Sequence, residues 1–141
     1  GWSLRAAETR VELTGDVFDS RLSVDGNLVY RGNAAVKGDN LLLTADEIRF
    51  EQRTETFFAT GNVVFTREGA RLLADRLEYH RRDGRFSAYA IRLGLPPYFA
   101  EGASAEGSRT EVTLRQARVS YGEPGPWQPT ITADSITNCN V

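Results

Sequence analysis

The chain has 141 residues, of which 40% are apolar and 26% charged, and its formal net charge is −2. This composition argues against a disordered chain and, since the longest apolar runs are three or four residues, against a membrane-spanning helix. The slight acidic excess argues against nucleic acid as a partner. The length is usual for one domain, and we expect a single domain over residues 1–141.

Turn-forming residues recur along the chain at intervals that are mostly 11 to 15 residues. Several are Asp-Gly or Gly-Asp pairs, which tolerate positive φ and are typical of hairpin turns. The turns are centred on residues 26, 39, 54, 68, 83, 96, 107 and 125. Strands of about ten residues between such turns predict an antiparallel meander, and therefore an all-β fold.

Two consecutive segments repeat the same residue types at a constant offset of 29. The first has Gly32-Asn33, Ala45-Asp46, Phe50, Phe57 and Ala59, and the second has Gly61-Asn62, Ala74-Asp75, Tyr79, Phe86 and Ala88. Weaker copies contain Ala105-Glu106 and Ala133-Asp134. Self-similarity at a fixed period is typical of stacked structural units. We place these units at about 31–59, 60–88, 89–119 and 120–137.

One segment, residues 70–79, is also compatible with a helix. Leu73 and Leu77 fall on one helical stripe, and most of its residues favour helices. We predict a strand there, because the neighbouring segment 62–66 is rich in Val and Phe and an isolated helix of about ten residues is marginal.

The alternation of apolar residues is interrupted at the same point in several units. A step of three residues, instead of two, separates Ala45 from Ile48 and Ala74 from Leu77, and the same step follows Ala133. Apolar residues stay on one face across such a step only where an extra residue forms a bulge or corner. Each Ala-Asp pair therefore predicts a bend in a long strand, and the repeated bends predict a folded, V-shaped double sheet.

The residues on the predicted inner face are apolar and come from every unit. Without further information they fill the space between two sheet layers, as in most sandwiches. The alternative is an open groove whose inner face a ligand can reach. The predicted inner-face residues are Leu41, Leu43, Ile48, Phe50, Phe57, Val63, Phe65, Leu72, Leu77, Tyr79, Phe86, Ile131 and Ile136.

The polar residues give no sign of catalysis. His80 is the only histidine, and the single cysteine, Cys139, has no partner for a disulfide within the chain. Asp46 and Glu47 are adjacent and would point to opposite faces of a strand, so they are a poor acid/base pair. Arginines cluster in residues 71–85, but interleaved acids favour a solvated outer face over contact with lipid phosphates. We therefore expect no enzyme activity, metal or cofactor.

The repeat resembles a known family. Gly-Asn-Val-Val-Phe at 61–65, Leu-Leu-Ala-Asp-Arg-Leu-Glu-Tyr at 72–79 and Asp-Gly-Arg-Phe at 83–86 are similar to the OstA-like family of lipopolysaccharide-transport proteins, as is the copy at 32–50. This family includes LptA and the periplasmic N-terminal domain of LptD. The segment 117–136 is similar to the latter, and the resemblance covers about residues 10–137.

The resemblance implies a β-jelly-roll, or β-taco, whose V-shaped groove shields the acyl chains of lipopolysaccharide. The partners it implies are lipopolysaccharide and other OstA-like domains, joined by edge-strand stacking, with further copies of the same chain as one form of that assembly. It implies the periplasm, within or attached to an outer-membrane assembly. The thirteen inner-face residues would then be the lipid-binding residues. The alternative is a β-repeat scaffold that binds no lipid.

Overall fold

A computed structural model describes residues 11–95, 97–122 and 130–139. Their regular structure is entirely β-strand, which confirms the predicted all-β class. Among them, no helix has the length and apolar character needed to cross a membrane. The strands are β1 (Glu12–Thr14), β2 (Val17–Phe18), β3 (Asn27–Lys37), β4 (Leu41–Glu51), β5 (Thr56–Arg67), β6 (Ala70–His80), β7 (Arg85–Leu95), β8 (Tyr98–Gly107), β9 (Glu111–Tyr121) and β10 (Thr130–Cys139).

The strands form one antiparallel sheet in which neighbours along the chain are neighbours in space. The order is β1-β3-β4-β5-β6-β7-β8-β9-β10, and the short strand β2 also pairs with β3. This confirms the predicted meander. Residues 70–79 lie in β6, so the strand prediction is confirmed over the helix.

The sheet folds over on itself, as one ring contact demonstrates. Phe65 pairs with Leu72, whereas Tyr79 lies seven residues further along β6. A straight strand would place residues 72 and 79 about 23 Å apart. The rings of Phe65 and Tyr79 are nevertheless 5.5 Å apart between centroids, so the strands bend between them.

The bend divides the sheet into two facing arms. By strand register, the first arm holds residues 34–45, 63–74, 91–95, 97–102, 117–122 and 130–133, and the second holds 27–31, 47–60, 76–89, 104–115 and 135–139. The predicted V-shaped double sheet is therefore present, and its interior lies between the arms.

The bends coincide with the predicted Ala-Asp pairs, but the inserted residue is elsewhere. The register shifts between Thr44 and Glu47 of β4, and again between Thr60 and Val63 of β5. In both cases β5 carries the extra residue, within Gly61-Asn62. Both residues of that pair have positive φ, +80° and +47°. The expectation of an insertion at Ala-Asp is thus corrected: Gly-Asn on the neighbouring strand supplies it, because glycine adopts positive φ without strain.

The proposed copy at Ala105-Glu106 is wrong. Ala105 pairs with Ala88, which pairs with Leu77, so Ala105 lies beyond the bend in the second arm. Ala105 thus matches Leu77, not Ala74. The similarity of Ala-Glu to Ala-Asp misled the alignment of this unit.

Both arms contribute to one apolar core. Leu43 of the first arm and Ile48, Phe57 and Leu77 of the second are all at most 1% exposed. Fully burying side chains of this size stabilises a fold by about 1.5–3 kcal/mol each. The core therefore holds the arms together across the region from β3 to β6.

Candidate functional site

All thirteen predicted inner-face residues lie on the inward side of the sheet, and twelve of them are covered. Phe50 and Ile136 are partly buried against the core. Ten are buried, namely Leu41, Leu43, Ile48, Phe57, Val63, Phe65, Leu72, Leu77, Tyr79 and Phe86. Ile131 pairs with Val119 on the inner row, but it is 66% exposed because β10 is the last strand of the sheet order and leaves it uncovered.

From β3 to β6 the interior is filled by side chains. Phe50 and Phe57 stack with ring centroids 4.4 Å apart, and Phe57 stacks with Tyr79 at 6.3 Å. Leu43 lies on the inner side of the first arm and Ile48 on the inner side of the second, and neither has any exposed surface. This half of the interior has the close packing of an ordinary sandwich core.

From β5 to β10 the two arms border a partly open cavity of about 340 Å³. This volume is at the lower end of the range for small-molecule pockets, roughly 300–1,000 Å³. Its lining residues are Phe65, Arg67, Glu68, Ala70, Leu72, Phe86, Leu93, Tyr98, Ala100, Ser108, Arg109, Thr110, Glu111, Val112, Leu114, Val119 and Ile136. Only four predicted residues are among them: Phe65, Leu72, Phe86 and Ile136.

β8 carries small residues on its inward side, and one of them, Ala100, lines the cavity. The inward positions of β8 after Tyr98 are Ala100, Gly102, Ala105 and Gly107, as their pairing with inward residues of β7 shows. Sequence reasoning missed most of the lining because it favoured large apolar residues. The alternation of Ala and Gly along residues 100–107 was the available signal.

Arg67 stands at the boundary between the packed half and the cavity. It lies at the tip of the first arm, and its guanidinium donates hydrogen bonds to the carbonyl oxygens of Gly84 (2.7 Å) and Ser108 (2.5 Å) in the second arm. The guanidinium also lies 5.6 Å from the ring centroid of Phe65 and 5.5 Å from that of Phe86. Burial lowers the pKa of Arg67 below its ordinary value, and Arg109 adds to the effect. Arg67 thus joins the tips of the two arms, which we call their lips.

Other charged residues lie away from the cavity. Arg81 and Arg82 both form ion pairs with Glu55, as expected for a solvated face. Asp46 accepts a hydrogen bond from the Asn62 side chain, which places it at the bend. Within the described ranges, no three His, Cys, Asp or Glu side chains form a group that could hold a metal.

Similar proteins are known for most of the chain. It is 36% identical over 126 residues to the LPS-assembly protein LptD of Xanthomonas oryzae pv. oryzae, strain MAFF 311018, and equally to LptD of Xanthomonas campestris pv. campestris, strain 8004. These matches cover 89% of the chain but only 16% of each relative. No family model matches the chain.

The fold matches a solved structure, LptH of Pseudomonas aeruginosa, described as the LptA-homologous periplasmic component of a lipopolysaccharide transport device. The TM-score is 0.69 at 15% identity, over 88% of this chain and 95% of LptH. The 36% identity to LptD supports the OstA-like family for this chain. The fold is the β-jelly-roll that the sequence resemblance implies.

Proposed function

We propose that this OstA-like domain is a periplasmic component of a lipopolysaccharide-transport bridge, and that it shields acyl chains between its two arms. The observation that carries the proposal is the cavity of about 340 Å³ bounded by both arms of the V. Leu93 and Val119 from the first arm and Leu114 from the second supply apolar walls. Burying acyl surface there contributes about 25 cal/mol per Å².

The names of the similar proteins support this proposal. LptD is an LPS-assembly protein, and LptH is a periplasmic component of a lipopolysaccharide transport device. The chain spans about 16% of the length of LptD. We therefore propose a role for the domain within such an assembly, in the periplasm, and without catalysis of its own.

The proposed protein partners are other OstA-like domains or further copies of this chain. β1 and β10 are the terminal strands of the sheet order. A terminal strand presents backbone groups to which another strand can add. Strand addition at these edges would extend the interior of one domain into the next.

A photo-crosslinking residue tests lipid binding most directly. We expect lipopolysaccharide adducts at Leu93 and Val119, which line the cavity. Leu73 is the control, since it pairs with Arg92 on the opposite face of the sheet, next to inward Leu72. Adducts at all three positions alike, or at none, would contradict binding in the cavity.

A substitution that fills part of the cavity gives a second test of lipid binding there. Ala100→Leu adds three carbons to the cavity wall and should abolish the adduct at Val119 without unfolding the domain. Ala103→Leu makes the same change at an exposed position of the same strand and should leave the adduct unchanged. Equal adducts in both variants would refute the cavity as the binding site.

The packed region from β3 to β6 favours a second candidate, a scaffold module that binds no lipid. Leu43 and Ile48 leave no space between the arms there. In that case no cavity position forms an adduct, while strand addition at β1 or β10 still occurs.

A further inference from the structure

Resting on the proposed function, we infer that Arg67 is a latch that ends the open part of the groove, so that an apolar chain reaches the packed half only when this arginine releases the opposite lip.

Arg67 is the last residue of β5, at the tip of the first arm, and its side chain also lines the cavity. Along the sheet it pairs with Leu41, which is 8% exposed and belongs to the packed half. Toward β10 it lines the cavity. An acyl chain that moves from the cavity toward β4 at the level of the lips must therefore pass this side chain.

The contacts of Arg67 hold the two arms together. Its two hydrogen bonds end on carbonyl oxygens in two separate turns of the second arm, at Gly84 and Ser108. Hydrogen bonds from a charged donor are stronger than neutral ones.

The surroundings of Arg67 suit a latch that can release. Its acceptors are neutral carbonyl groups, and no ion pair to a carboxylate is recorded for it within the described ranges. Burial disfavours the charged guanidinium, as its lowered pKa shows. The guanidinium also lies beside the rings of Phe65 and Phe86. Release would return the charge to water while those rings remain packed.

Arg67→Met tests the latch because methionine keeps an apolar stem and removes the hydrogen bonds. With a photo-crosslinking residue at Leu41 and purified lipopolysaccharide as the probe, we expect little adduct in the parent and at least about tenfold more in Arg67→Met, because two charged hydrogen bonds are lost and one alone corresponds to about tenfold. Arg49→Met is the matched control. Arg49 stacks 4.1 Å from the centroid of Phe58 and donates to Asn27 on the second arm alone.

A distance measurement tests the latch without lipid. Spin labels at Arg71 on the first arm and Arg85 on the second replace exposed side chains near the two lips. We expect a longer and broader distance distribution in Arg67→Met than in the parent or in Arg49→Met. An unchanged distribution would overturn the latch whatever the lipid does.

The two proposals fail in different ways. Adducts at Leu93 with equal labelling at Leu41 in the parent and in Arg67→Met would overturn the latch and leave the transport role intact. No adduct at any position, with arms that still separate in Arg67→Met, would overturn lipid binding and retain Arg67 as the contact that closes the V.

Discussion

Replacing Gly61 by alanine probes the bend at its most constrained point. Gly61 has a φ of +80° in the bulge of β5. A Cβ atom added there would lie 2.5 Å from Oδ2 of Asp46 and 3.1 Å from its Cβ. The same Oδ2 accepts a hydrogen bond from the Asn62 side chain at 3.0 Å. The substitution therefore combines backbone strain with displacement of Asp46.

A second glycine separates these two effects. Gly69 has a φ of +84° but nothing within 4 Å of an added Cβ. Left-handed backbone costs an L-residue about 1–2 kcal/mol, and the stiffer unfolded chain offsets about 0.4–1 kcal/mol of this. We expect Gly69→Ala to lower the free energy of unfolding by about 1 kcal/mol. Gly61→Ala should lose about 1 kcal/mol more, the value of a typical hydrogen bond.

Urea denaturation measures both variants, and a common slope against urea would show that the unfolded states are comparable. The difference between Gly61→Ala and Gly69→Ala should disappear in an Asp46→Gly background, where the added methyl group meets neither the carboxylate nor the Cβ atom of residue 46. Equal losses in the parent background would refute the reasoning. So would a difference that survives the removal of Asp46.

Three further predictions concern stability and are measurable by the same denaturation. Ala90 has a φ of +56° at an exposed position, so Ala90→Gly should raise the free energy of unfolding by about 0.5 kcal/mol, and a loss would contradict this. Phe57→Ala should cost about 3–5 kcal/mol because the ring is 1% exposed, whereas Ile131→Ala, at 66% exposed, should change the stability by less than about 0.5 kcal/mol. Gly107→Ala should cost about 1–3 kcal/mol because its Cβ would lie 2.2 Å from an aromatic ring, while Gly94→Ala, with open space around it, should not destabilise.

The strands and their inward faces could be predicted because they depend on local pattern. The three-residue step from Ala74 to Leu77 located the bend in β6, and the structure confirms that both residues are buried. Turn residues located the hairpins for the same reason. The inserted residue was misplaced because a bulge belongs to a pair of strands, and the step is visible in one strand while Gly61-Asn62 of the other supplies the extra residue.

The division of the interior could not be predicted, because it depends on contacts between distant segments. The acceptors of Arg67 lie 17 and 41 residues away in sequence. No pattern in the sequence marks Gly84 and Ser108 as acceptors, since a backbone carbonyl is present at every residue. Leu41 and Leu93 look alike in the sequence, yet one is packed and the other faces the cavity.

The cavity arises where the repeat breaks. A positive-φ residue marks the bend in each unit. Such residues are 29 positions apart at Gly32, Gly61 and Ala90, and the one in the next unit, Gln116, follows after 26. In the regular units, the inner row of the second arm carries aromatic rings, as at Phe57 and its partner Tyr79. In the next unit the same row continues from Phe86 to Gly107 and then Val112. The ring of Phe86 packs against Gly107, and Val112, which is smaller than an aromatic residue, lines the cavity. Space therefore remains there that the other side chains do not fill. The residues that stay constant from unit to unit therefore form the core, whereas the positions at which the units differ form the cavity.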